Sequence, residues 1–153
     1  MVRASIGGLR SLLVDIYPPS LATAGLQAAL TDLASGLRSR GIAVTLALAP
    51  TPGLGAQNER LVFRVAQECL NNIARHASAT TVHITLEKAE GHAMLDIADD
   101  GIGFDARRVL AQPPEGHFGL RVLSDVADEA HAELRLASAP GSGTAWQLRI
   151  PLP

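Results

Sequence analysis

Apolar residues recur along this chain with the periods of helices and strands. Spacings of three and four predict amphipathic helices over residues 3–16 and 22–40. A stripe that repeats every four residues over 57–77 predicts a longer helix with one strongly apolar face. Between these helices, alternation over 42–48 predicts a strand that buries one side.

The second half of the chain alternates in shorter runs. Strands are predicted over 80–89, 92–99, 132–138 and 144–152, with a helix over 118–130. Gly91 and the sequence APGSG at 139–143 form turns short enough to join antiparallel neighbours. Helices mixed with antiparallel hairpins predict an α+β sandwich.

Composition narrows the class of protein. The 153 residues suit one domain, and 47% hydrophobic residues exclude a disordered tail. A net charge of −2 argues against a nucleic-acid partner, and the single cysteine excludes a disulfide-stapled scaffold. No apolar run approaches the roughly 18 residues of a spanning helix, so direct membrane insertion is not expected and a cytoplasmic location is predicted.

One face of the helix over 57–77 carries polar groups suited to phosphate chemistry. Glu68, Asn72 and His76 follow one another at spacings of four, and Arg75 lies beside them. The carboxamide oxygen of Asn72 can bind Mg²⁺, and Glu68 can orient or deprotonate a nucleophile. Arg75 and His76 can contact phosphate oxygens. A solvated helix face is the alternative interpretation.

Three glycine-containing motifs follow this helix, and each alone has an ordinary structural explanation. The sequence DDGIGF at 99–104 ends a strand with Asp99, a possible acceptor for an exocyclic amine, or forms a plain turn. The sequence GHFGL at 116–120 opens a helix whose N–H groups can bind an anion, or is a simple helix start. The sequence GSGT at 141–144 is a hairpin turn unless it adds to a site.

The order of the four motifs resembles the nucleotide-binding motifs of the GHKL ATPase superfamily. The segments QECLNNIARHASA, DDGIGF and SAPGSGTAWQLRIPLP are similar to the NarL-type branch of sensor histidine kinases. The resemblance covers nearly the whole chain. It implies a Bergerat-type α/β sandwich, with a mixed, mostly antiparallel sheet covered by helices on one face.

The resemblance also implies roles for individual residues. Asn72 matches the Mg²⁺ ligand, Glu68 the catalytic carboxylate one turn earlier, and Asp99 the carboxylate that binds adenine. The remaining predicted nucleotide contacts are Arg75 and His76 at the phosphates, Gly101 and Gly103 in the pocket, Gly116, Gly119 and Leu120 at the end of a lid over 104–116, and Thr144 near adenine.

The implied function is that of the catalytic, ATP- and Mg²⁺-binding domain of a histidine protein kinase, over residues 21–153. Residues 1–20 resemble the remnant of a dimerisation helix and its linker, and the helix over 3–16 has no clear N-cap, so a longer parent protein is expected. The first histidine is His76, within the ATPase motifs, so the phosphoacceptor is expected elsewhere and autophosphorylation by this chain alone is not. The expected partners are ATP, the dimerisation and histidine-phosphotransfer domain, and a response regulator. The location is cytoplasmic, or the cytoplasmic part of a membrane-anchored sensor.

Two alternatives share the fold. An anti-sigma-factor-type serine kinase would have similar motifs, although the segment YPPSL at 17–21 resembles a histidine-kinase linker. A degenerate, non-catalytic interaction module is the other alternative. Cys69 and Trp146 are predicted core residues, and His83 and His92 are predicted surface residues.

Overall fold

The computed structural model describes residues 19–50, 54–105, 125, 127, 128 and 130–152, with the side chains of 19–24, 76 and 77 excepted. Several predictions therefore lie outside the described residues. These are the helix over 3–16, most of the 1–20 segment, the lid over 104–116 beyond residue 105, and most of the helix over 118–130.

The described chain forms two α-helices, a short π-helix and five strands. In chain order these are α1 (Pro19–Arg38), β1 (Ala43–Leu48), α2 (Ala56–Asn72), the π-helix (Ile73–Ala77), β2 (Thr81–Ala89), β3 (His92–Asp99), β4 (Glu133–Ser138) and β5 (Thr144–Pro151).

The five strands form one sheet in the order β1-β2-β3-β5-β4. The β1–β2 pair is parallel and the other three pairs are antiparallel. The prediction of a mixed, mostly antiparallel sheet in an α+β fold is confirmed. No helix among the described residues has the length and hydrophobicity to cross a bilayer.

The core lies between the sheet and the two helices. Alternate residues of the central strands are buried on this side, and their largest members are Ile84, Leu86, Leu95, Ile97, Trp146, Leu148 and Ile150. Helix α2 contributes a buried stripe that includes Cys69, whose thiol pKa is raised by burial. Cys69 and Trp146 are thus core residues, as predicted. His83 is exposed and His92 half-buried on the outer side of the sheet.

Helix α1 differs from its prediction at the N-terminal end. It begins at Pro19 rather than residue 22, and Gly25 interrupts it with φ 86° and ψ 176°. This backbone conformation is essentially restricted to glycine. Apolar spacing cannot reveal such a kink, because the predicted stripe begins at Leu26, directly after it.

The helix over 57–77 also differs from its prediction. The α-helix ends at Asn72, the chain continues as the π-helix, and Ser78 closes it in a left-handed conformation with φ 50°. A π-helix bonds each residue to the fifth along the chain and often occurs at functional sites. The winding therefore changes at the start of the segment that carries Arg75 and His76.

Candidate functional site

Asp99 is the last residue of β3 and lies on the helix-covered side of the sheet. It has the parity of buried Ile97 along the strand and is paired with Val82 on one side and Thr144 on the other. Its Oδ1 accepts a hydrogen bond of 2.8 Å from the Gly101 amide. Its Oδ2 is buried and has no hydrogen-bond partner.

The surroundings of Asp99 disfavour its charged form. Burial raises the pKa of this carboxyl, hydrogen bonding from the Gly101 backbone opposes the shift, and the charge of Asp100 adds to it. A buried carboxylate with one free oxygen is able to accept a hydrogen bond from a ligand. An amine that donates to Oδ2 would also relieve the cost of its burial.

Asn72 presents the second unsatisfied group. Its Nδ2 is buried without a partner, and Asn72 Nδ2 and Asp99 Oδ2 are the two such side-chain atoms found among the described residues. A buried polar group without a hydrogen bond costs about 1–3 kcal/mol. A carboxamide can donate through nitrogen or, turned over, accept or bind a cation through oxygen. Both side chains were predicted from the motifs, and both are able to form a hydrogen bond with a bound ligand.

The other polar residues of α2 and the π-helix are more open. Glu68 is half-buried and Arg75 is exposed, while the side chain of His76 lies outside the described part of the chain. The π-helix begins immediately after Asn72, so Arg75 and His76 lie on a segment that is wound differently from the α-helix that carries Glu68 and Asn72.

Two glycines bring the turn after β3 into backbone contact with the β4–β5 turn. A Cβ on Gly103 would overlap the carbonyl oxygen of Ala139, and a Cβ on Gly143 would overlap the carbonyl oxygen of Asp99. Both glycines have positive φ, 66° and 71°. The sequence GSGT at 141–144 is thus more than a hairpin turn, because Gly143 packs against the backbone of Asp99.

A hydroxyl pair reinforces this contact. Thr144 is 6% exposed, and its Oγ1 lies 2.8 Å from Oγ of Ser138. Ser138 Oγ donates to the Gly143 carbonyl at 3.0 Å and accepts from the Phe104 amide at 2.9 Å. Because Ser138 has one hydroxyl hydrogen, Thr144 is the donor within the pair. Ser138 was not predicted as a site residue, although its position opposite Thr144 across a tight hairpin is a signal that could have indicated it.

A cavity of about 690 Å³ opens at this end of the sheet. Its volume is within the range of small-molecule pockets. It is lined by the end of β3, the facing ends of β4 and β5, and the turn between them: Ala98, Asp99, Asp105, Leu136, Ala137, Ser138, Ala139, Ser142, Gly143, Thr144 and Ala145. Asp99 and Thr144, predicted as site residues from separate motifs, thus line one cavity.

The sequence predicts Asp100 only as part of a turn. In the structure its carboxylate is hydrogen-bonded to the start of β2. Its Oδ1 accepts from the amides of Thr80 and Thr81 at 2.8 and 2.9 Å, and its Oδ2 accepts from the Thr80 hydroxyl at 2.5 Å. These hydrogen bonds, with the Thr80 hydroxyl foremost, hold the pKa of Asp100 well below its ordinary value. The hydrogen bonds therefore favour the charged form of Asp100, which is not among the residues that line the cavity.

The structure brings together Asp99, Gly101, Gly103 and Thr144 around one turn. The predicted contacts Gly116, Gly119 and Leu120 lie outside the described residues.

Comparison with known proteins identifies the class to which this arrangement belongs. Residues 57–153 match the family described as histidine kinase-, DNA gyrase B-, and HSP90-like ATPase, and the chain belongs to this family. The sensor histidine kinase YhcY of Bacillus subtilis is 35% identical over 124 residues, covering 78% of this chain and 32% of that protein. The sensor histidine kinase NarS of Mycobacterium tuberculosis is 31% identical over 145 residues, covering 94% of this chain and 33% of that protein. The chain thus spans about a third of the length of these curated relatives.

Solved structures agree on the fold. The histidine kinase domain of a blue-light activated histidine kinase from Erythrobacter litoralis superimposes with a TM-score of 0.69 and 24% identity, covering 83% of this chain and 61% of that one. The histidine kinase AdeS of Acinetobacter baumannii also gives 0.69, with 20% identity, covering 96% and 80%. The family expected from the four motifs is confirmed.

Proposed function

We propose that this chain is the catalytic domain of a sensor histidine kinase, which binds ATP and supplies its γ-phosphoryl group to a histidine on a separate dimerisation and phosphotransfer domain. An aspartate of a response regulator then receives the phosphoryl group. Membership of the ATPase family and the curated sensor-kinase relatives support this proposal. The observation that carries it is that, where the structure describes side chains, the two buried polar side-chain atoms without a hydrogen-bond partner belong to Asp99 and Asn72.

Asp99 suits the recognition of adenine. Its free Oδ2 accepts a hydrogen bond from the exocyclic N6 amine, which is a donor that a guanine or hypoxanthine base lacks at that position. Gly101 donates its amide to Asp99 Oδ1, and Gly103 lets the turn pack against the β4–β5 turn, so both glycines shape the pocket around Asp99. Thr144 lies across the strand pair from Asp99 and adds a hydroxyl to the same pocket.

Asn72 and Glu68 suit the phosphate end. Mg²⁺ prefers oxygen ligands, and the unsatisfied carboxamide of Asn72 can turn its oxygen to such an ion. The ion, when bound with ATP, neutralises phosphate charge. Glu68 lies one helical turn earlier and orients or deprotonates the attacking group. Arg75 is exposed and free to extend towards phosphate oxygens, and His76, Gly116, Gly119 and Leu120 complete the proposed phosphate contacts.

Phosphoryl transfer on such a site depends on positioning and charge neutralisation more than on covalent chemistry by the protein. The chain's own residues therefore bind the base, fix the triphosphate and orient the acceptor. Removal of a binding residue should abolish activity through loss of nucleotide.

The test is direct binding of a fluorescent ATP analogue to the 153-residue chain, with Asp99→Asn beside the parent. Asp99→Asn keeps the shape but can turn an N–H towards the amine, and we expect affinity to fall about ten-fold or more. Asp96→Asn is the matched control, because Asp96 lies on the same strand but on the outer side, where it accepts a hydrogen bond from Gln147. An unchanged affinity in Asp99→Asn would contradict the adenine assignment.

A further inference from the structure

Asp100 connects the turn that carries Asp99 to the start of β2, which is distant in sequence. Its carboxylate bonds to Thr80 and Thr81, about 20 residues earlier, and its amide donates to the Thr81 carbonyl at 3.3 Å. Thr80 comes shortly after Ser78, which closes the π-helix. The turn that carries Asp99 is thereby attached to the segment that leaves the end of α2.

The attachment adds to the strand pairing that directs the Asp99 side chain. Successive side chains of an extended chain leave on opposite sides, so a carboxylate of Asp100 fixed towards β2 leaves Asp99 directed to the opposite side, into the cavity. The next residue is Gly101, which has no side chain to limit the backbone. Without the carboxylate contacts, the turn would keep the hydrogen bond from the Asp100 amide, the pairing of Asp99 with Val82 and Thr144, and the contact with Gly143, but it would lose three side-chain restraints towards β2.

We propose that Asp100 is a positioning residue for nucleotide selection: its three hydrogen bonds to Thr80 and Thr81 hold the Asp99 carboxylate in the orientation that distinguishes adenine from other purines. The inference rests on the proposed ATP site. Asp100 itself touches no nucleotide, because its carboxylate is occupied at the start of β2.

The geometry predicts that the hydrogen-bonding shape of the side chain at position 100, and not its charge, determines the preference for ATP. In Asp100→Asn, the Oδ1 can still accept from both amides, and the new Nδ2 can donate to the Thr80 hydroxyl. In Asp100→Ala, all three contacts are lost. A purely electrostatic role for Asp100 would make the two variants alike, whereas a positioning role separates them.

The experiment compares dissociation constants for ATP and ITP, whose base carries a carbonyl in place of the N6 amine. The parent chain should prefer ATP about ten-fold or more, as expected for a hydrogen bond to a charged group. Asp99→Asn should lose this preference. Asp100→Ala should reduce it to about three-fold or less, and Asp100→Asn should keep it.

Two further variants separate positioning from stability. Thr80→Val removes one of the three hydrogen bonds from the partner side, so it should lower the preference partly even if Asp100→Ala fails to fold. Ile150→Val removes a buried methylene at the opposite end of the sheet and should lower Tm with the ATP/ITP ratio unchanged.

The outcomes distinguish the two proposals. Asp100→Ala with the parent's ATP/ITP ratio, while Asp99→Asn loses it, overturns the role of Asp100 alone. If Asp100→Ala does not fold, an ATP/ITP ratio in Thr80→Val equal to that of the parent overturns the role of Asp100 instead. A parent chain that fails to bind ATP, or an Asp99→Asn variant that retains the preference, overturns the proposed function and with it the inference.

Discussion

The two ends of the proposed site are built differently. Around Asp99, the backbone is restrained from two sides. Gly143 of the β4–β5 turn packs against it on one side, and on the other Asp100 is hydrogen-bonded to the start of β2. At the end of α2, Glu68 and Asn72 are half-buried, Arg75 is exposed, and no hydrogen bond joins these three side chains to others among the described residues.

This difference matches the parts of a nucleotide that the two ends would bind. A flat base has fixed donors and acceptors, so a rigid receptor reduces the entropic cost of recognising it. Phosphates and a hydrated cation are charged and adaptable, and polar side chains that are not hydrogen-bonded to their neighbours can adjust to them. We therefore expect specificity to depend on the Asp99 end and metal-dependent affinity on the Asn72 end.

The largest effect is expected from filling the backbone contact at the rigid end. Gly143→Ala introduces a Cβ against the Asp99 carbonyl at a φ of 71°, and should lower the free energy of unfolding by roughly 2–4 kcal/mol. Urea denaturation measures the loss, and nucleotide binding should weaken with it. Gly141→Ala is the control, because it has φ 82° in the same turn but faces open space, and should cost only roughly 1–2 kcal/mol. Equal losses in the two variants would show that the contact with Asp99 has no special importance.

A second comparison tests the two ends of the site with two ligands, ATP with Mg²⁺ and adenosine. Asn72→Ala should lower affinity for ATP in the presence of Mg²⁺ about ten-fold, because a metal ligand is lost, and leave adenosine binding unchanged. Asp99→Asn should weaken both ligands. Isothermal titration measures each, with Asn71→Ala as the exposed neighbouring control. Weaker adenosine binding in Asn72→Ala would show that the two ends are not separable.

The smallest expected effect is a gain in thermal stability of Asp99→Asn, the variant that also loses affinity for the nucleotide. Because burial raises the pKa of Asp99 above its ordinary 3.8, the folded state binds more protons than the unfolded state between these two pKa values, and stability falls as pH rises through that window. At neutral pH the ligand-free Asp99→Asn variant should therefore melt at a higher temperature than the parent. The difference should vanish well below pH 3.8, where the Asp99 carboxyl is neutral in both the folded and the unfolded state. Thermal melts at several pH values test this, and a lower Tm for the variant at neutral pH would contradict it.

Asp100 should respond to pH in the opposite direction. Its pKa is lowered by hydrogen bonding, so the stability it contributes is present above the unfolded pKa and is lost as pH falls through the folded one. Two adjacent carboxylates of one turn thus act on stability with opposite signs, which melts of Asp99→Asn and Asp100→Asn across pH can separate.

The sequence predicted the sheet closely because alternation directly reports which face of a strand is buried. Strands β2, β3 and β5 agree with their predicted ranges to within one residue at each end. Asp99 and Thr144 were predicted from motif order, and the register of β3 and β5 makes them cross-strand partners.

The missed features depend on information that periodicity does not contain. The last member of the apolar stripe, Ile73, is the first residue of the π-helix, so spacing over 57–77 could not separate the π-helix from an α-helix. Asp100 finds its partners only once the β2–β3 register is known, and Ser138 once β4 is paired with β5. Gly25 lies within a continuous run of helix-forming residues, and its kink follows from a single backbone conformation.

The attachment of Asp100 to Thr80 and Thr81 also bears on the order in which the chain folds. These hydrogen bonds span 19 and 20 residues within one hairpin, whereas the Phe104–Ser138 bond spans 34. Contacts that are closer in sequence require less loop-closure entropy and tend to form earlier. The β2 side of the Asp99 turn can therefore assemble with the β2–β3 hairpin, and the β4–β5 hairpin then completes the pocket by docking against it.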